Sequence, residues 1–90
     1  MPSNADKLLS KARQSKAGWM PDDLLMLYKG FGFMIRDASG SHKLVSHPRF
    51  PAIRAIVPVH PKELGKKYVA DAVKNIDLVL KLEKEAREDE

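Results

Sequence analysis

The chain has 90 residues, no cysteine and a formal net charge of +4, with 43% hydrophobic and 31% charged residues. That length supports one compact domain over 1–90, and the lack of cysteine removes disulfides, thiol nucleophiles and thiolate metal sites. No apolar run approaches the roughly 20 residues that span a bilayer, and Met1 to Ser10 lacks the apolar segment of an export signal, so a soluble cytoplasmic protein is expected.

Ser3, with Asp6 three residues on, suggests a weak capping box for a first helix through Leu8, Leu9 and Ala12 to about Ser15, ended by Gly18. Pro21 suits a first helical position, and Asp22 and Asp23 suit the positive helix start. Leu24, Leu27 and Tyr28 then make the apolar stripe of a second helix, Pro21 to Lys29, before Gly30.

The period then changes. Phe33 to Arg36 reads as a strand, Asp37-Ala38-Ser39-Gly40 as a turn, and Ser41 to His47 as a second strand, closing a hairpin. His47-Pro48 stops that strand, because proline cannot continue a ladder. Ala52 to Val59 is a third strand rich in β-branched residues. Tyr68, Val69, Ala72, Val73, Ile76, Val79 and Leu80 recur at helical spacing, which predicts a long helix from about Lys66 to Glu83 with one buried face. Residues 84–90 read as an acidic, frayed tail.

The fold class is therefore α+β, in the order α-α-β-β-β-α: a three-stranded antiparallel sheet with one face against helices and one open. Alternation sorts the third strand, with Ile53, Ala55, Val57 and Val59 toward the helices and Arg54, Ile56, Pro58 and His60 away. The second strand is less decisive. With Val45 as its core member, His42 lies on the open face with Arg54 and His60.

Charge is spread unevenly. Lys7, Lys11, Arg13 and Lys16 against Asp6 give the first 20 residues +3, whereas the last ten carry −2. From Ala38 to Lys62 there is no carboxylate, yet this stretch holds Lys43, Arg49, Arg54, Lys62 and all three histidines, His42, His47 and His60. Such a surface gathers phosphates by counterion release, which makes nucleic acid the natural partner.

Gly40-Ser41-His42, followed by Lys43, His47-Pro48 and Val57-Pro58-Val59-His60, resembles the signature of the HicA toxins, small ribonucleases of bacteria and archaea. The resemblance covers roughly Trp19 to Leu82. It implies a fold like the double-stranded-RNA-binding domain, cleavage of messenger RNA (mRNA interferase activity), and neutralisation by a HicB-like antitoxin. It also implies that His42 is the catalytic histidine, with Gly40 and Ser41 shaping the start of its strand. This chain departs from the family pattern in having Lys43 where many members have a second histidine, a helix before Trp19, and Asp37-Ala38-Ser39 in the turn. The Asp37 carboxylate is expected to weaken phosphate binding nearby.

Each residue has a chemical reason to be there. Gly40 can close the turn at positive φ and let a ribose-phosphate backbone come close. His42 can exchange a proton near neutral pH, as attack of a ribose 2′-hydroxyl on the adjacent phosphate requires. Lys43 and Arg54 could neutralise charge gathering on the phosphorus oxygens, and a phosphate near Lys66 and Lys67 would relieve their unfavourable position at a helix start. Cleavage wants both a base and an acid. His60 is the candidate second group, with Lys43 or water behind it.

The route needs no metal and no cofactor, and the histidines lack the paired spacing of a zinc site. His47 is expected to satisfy backbone groups before Pro48, and Trp19, Phe31 and Phe33 to be core. Two readings compete with the nuclease: a non-catalytic module that binds RNA by duplex shape, and a domain of the same fold that only binds a protein partner.

Overall fold

The computed structural model describes residues 4–88. Its elements are α1 (Asn4–Gln14), α2 (Pro21–Gly30), β1 (Met34–Asp37), β2 (His42–Ser46), β3 (Arg54–Pro58) and α3 (Lys66–Glu88), which is the expected α+β order. The Ser3 cap lies outside the described residues.

The strands form one antiparallel sheet in the order β1-β2-β3. Val45 and Val57 stand on its inner side with almost no exposed surface, and Ile53 joins them. Above them pack Leu24, Leu27 and Tyr28 of α2 and the narrow seam Val69, Ala72, Ile76 and Val79 of α3. Full burial of each such valine or leucine contributes about 1.5–3 kcal/mol, so this seam fixes which pleat of each strand faces inward.

Two residues of the expected α3 stripe lie outside it: Tyr68 and Leu80 are exposed. They sit at the margins of a stripe that seven residues make wider than the sheet can cover. The helix also continues to Glu88, taking in residues 84–88 of the expected tail. Glu83 with Arg87 and Lys84 with Glu88 are i,i+4 opposite-charge pairs, a spacing that supports a helix without burial.

The helix preceding Trp19 is part of the core. Leu9 and Ala12 of α1 are buried, and Arg13 holds Asp77 of α3 through two hydrogen bonds of 2.9 and 2.5 Å. Trp19 is buried, its indole Nε1 donates to the Ser15 carbonyl at 3.0 Å, and the Lys11 ammonium stands 5.4 Å from the ring. Gly30 permits the close approach of α1 to α2: a Cβ there would come within 2.5 Å of the Ala5 Cβ.

Candidate active site

The turn between β1 and β2 is closed by the His42 N–H donating to the Ser39 carbonyl at 3.3 Å. Gly40, at φ +60°, supplies the left-handed residue that tight hairpins need. A Cβ on it would meet nothing within 4 Å, so the requirement is conformational. Ser41 is exposed, and its carbonyl accepts the Val59 N–H at 2.6 Å, tying the turn to the end of β3.

His42 opens β2 and is exposed on the side of the sheet away from the helices. Its Nδ1 lies 3.2 Å from the same Ser39 carbonyl. A carbonyl oxygen can only accept, so Nδ1 carries the hydrogen in this contact. In the neutral ring the lone pair then sits on Nε2. This is the arrangement by which a carbonyl partner prepares an imidazole to take a proton.

The register lays out the rest of the open face as three ranks. Ala38, His42 and Pro58 form the first, Arg36, Leu44 and Ile56 the second, and Met34, Ser46 and Arg54 the third. Successive ranks are separated by two residues, about 7 Å. Arg36 is therefore the cation diagonal to His42, within the roughly 7–8 Å of a diagonal cross-strand pair. Arg54 stands two ranks away, about 13 Å along the strand. Among the described residues the face carries no carboxylate, and its centre is apolar: Met34 is 43% exposed and Ile56 47%.

Lys43 stands on the Val45 pleat of β2, as alternation from a core Val45 requires. Alternation turns it to the other side of the sheet, where it pairs with Asp37, its neighbour across the strands. The Lys43 hydrogen bond, and then its charge, hold the Asp37 carboxyl below the usual carboxylate range. Asp37 is thus ion-paired and lies on the side of the sheet opposite His42. Arg36 is a residue that reasoning from the sequence did not single out. The signal was present, since Ile35 as a core residue puts Arg36 on the open pleat.

The other candidates are spread more widely. His60 lies two residues past Pro58 and lines a shallow cavity with Met20, Pro21 and Asp22, at the start of α2. No hydrogen bond joins it to His42 among the described residues. Lys66 and Lys67 open α3 and are exposed. Lys67 lines a groove together with Arg54, so the structure brings these two together.

His47 satisfies a backbone group, as expected. Only 4% of it is exposed; its ring lies 5.2 Å from those of Phe33 and Phe50, and its Nδ1 accepts the Arg49 N–H at 3.2 Å. Trp19 and Phe33 are buried, and Phe31 packs against the core. Among the described residues no group of three His, Cys, Asp or Glu side chains is placed to hold a metal ion, and no helix is long and apolar enough to cross a membrane.

Compared with family models, characterised proteins and solved structures, the chain matches none.

Proposed function

We propose that this chain is a HicA-like toxin, a cytoplasmic, metal-independent endoribonuclease acting on messenger RNA and held in check by a HicB-like antitoxin. The observation that carries the reading is the Ser39 carbonyl on Nδ1 of His42, on a sheet face that, among the described residues, offers arginines and no carboxylate. Support also comes from the Gly40-Ser41-His42 motif lying at the hairpin where the family resemblance requires it.

In this mechanism Nε2 of His42 takes the proton of a ribose 2′-hydroxyl as that oxygen attacks the adjacent phosphorus. The phosphorus–5′-oxygen bond breaks, leaving a 2′,3′-cyclic phosphate, and the departing 5′-oxygen takes a proton from His60 or from water. Arg36 takes the charge-neutralising role expected of Lys43, because it shares the face and Lys43 is occupied by Asp37. Arg54 holds a neighbouring phosphate, while Gly40 and Ser41 border the backbone path. Lys66 and Lys67 extend the positive field beyond the sheet.

The face has no aromatic side chain on which bases could stack, so contacts to phosphate and ribose carry affinity and sequence preference is weak. The experiment is incubation of the purified chain with single-stranded RNA in excess chelator. Fragments ending in 2′,3′-cyclic phosphate are expected, and intact RNA contradicts the proposal.

A non-catalytic, partner-binding reading is favoured by one feature, the exposed Met34 and Ile56 beside Leu44. An apolar centre with basic corners suits a protein surface with an acidic rim. This is compatible with an antitoxin seated on the same face, and it is favoured over the nuclease if RNA stays intact and unbound.

A further inference from the structure

The outer edge of β3 carries a second binding feature. Because the sheet order is β1-β2-β3, one side of β3 has no strand beside it. The Val59 N–H bonds to Ser41 and the His47 N–H to Ile53, and in an antiparallel ladder such pairs recur every second residue. Ala55 and Val57 therefore turn their backbone groups toward β2, whereas Arg54 and Ile56 turn theirs outward. Pro58 is also an outward position, which is why a proline, with no N–H to give, is tolerated in this strand. Among the described residues nothing pairs with the outward groups of Arg54 and Ile56.

This open edge forms one wall of a groove of about 360 Å³, and the first three turns of α3 form the other. Arg54, Lys67 and Lys74 line it with the carboxylate Asp71, and Ile56 and Tyr68 are its large apolar lining residues. The charge excess argues against a second copy of this chain, which would bring the same three cations face to face. Alternating outward donors and acceptors match a polypeptide backbone rather than a phosphate chain, which offers acceptors without amide donors.

We propose that the β3 edge binds an extended acidic polypeptide segment by strand addition, with Arg54 and Ile56 as the backbone contacts and Lys67 and Lys74 reading its carboxylates. The inference does not depend on the nuclease reading. The two meet at Arg54, whose backbone serves the edge and whose side chain belongs to the open face.

The probe is a blocked peptide of alternating glutamate and valine, titrated into the 15N-labelled chain. Fast-exchanging amides of Arg54 and Ile56 are expected to shift and gain protection from exchange, and alternating lysine and valine should bind much more weakly. N-methylation of alternate peptide nitrogens should abolish binding while leaving charge unchanged. The double variant Lys67→Glu, Lys74→Glu, exposed on α3 and harmless to the core, should reverse the preference toward the lysine peptide. Absence of shifts at Arg54 and Ile56 up to millimolar peptide, equal binding of both peptides by wild type, or full binding by the methylated peptide would each overturn the proposal. So would stronger occupation of the same amides by single-stranded RNA than by the acidic peptide.

Discussion

Asp37 and Lys43 stand directly opposite each other on β1 and β2 and close an ion pair on the side of the sheet that His42 does not occupy. One pairing thus compensates the Asp37 carboxylate and holds the lysine off the face that carries His42. The proposed phosphate contact passes to Arg36. Substituting Arg36 by alanine should weaken RNA binding and lower the salt dependence of log affinity by about 0.7 for each phosphate no longer neutralised. Lys43→Ala should leave both nearly unchanged. Equal effects in the two variants, measured by binding at several salt concentrations, would return Lys43 to the site.

His42 and His47 should separate chemistry from stability. His47→Ala opens a void between Phe33 and Phe50 and removes the acceptor of the Arg49 N–H, so a destabilisation of about 1–3 kcal/mol is expected. The variant fraction that remains folded should cleave normally. Thermal melts and cleavage rates on the same samples check this, and absence of cleavage in well-folded protein would mean that His47 also has a chemical role.

The Arg13–Asp77 pair gives a pH signature for the docking of α1. The Arg13 hydrogen bond holds the Asp77 carboxyl below its ordinary value. Its stabilisation is therefore complete above the ordinary carboxyl pKa of about 3.9 and is lost as pH falls through the lower folded-state value. Both side chains are nearly half exposed, 47% and 45%, so solvent screening limits the contribution to about 0–1 kcal/mol. Asp77→Asn should flatten the stability curve in that acidic window. Parallel curves for wild type and variant would show that the pair contributes nothing.

Gly30 should be sensitive for a reason visible only in three dimensions. Alanine there gains helix propensity of about 1 kcal/mol, but its Cβ meets the Ala5 Cβ at 2.5 Å. Overpacking of this kind costs about 1–3 kcal/mol, so Gly30→Ala should loosen α1, and adding Ala5→Gly should restore it. A double-mutant cycle in denaturant melts measures the coupling, and additive effects would contradict the contact.

Much of the fold was legible because alternation and helical spacing are local. Val45 and Val57 as core residues placed His42 and Arg54 together on the open pleat, and the register agrees. What escaped was set by neighbours in space. Asp37 read as part of a turn, yet it belongs to β1, where strand parity turns it from the His42 side and Lys43 compensates it. α3 runs to Glu88, well beyond Val79, its last fully buried residue, and opposite charges at i,i+4 spacing favour such an extension. The Ser39 carbonyl at His42 Nδ1, on which the proposed chemistry turns, depends on turn geometry that Gly40 hints at and only the folded chain displays.

The account is tested most directly by purified His42→Ala against single-stranded RNA in chelator, with circular dichroism on the same preparation. Loss of a positioned general base should cost about 10²–10⁴-fold in cleavage rate while the spectrum and melting temperature stay those of wild type. Cleavage at the wild-type rate by the folded variant would contradict the role assigned to His42.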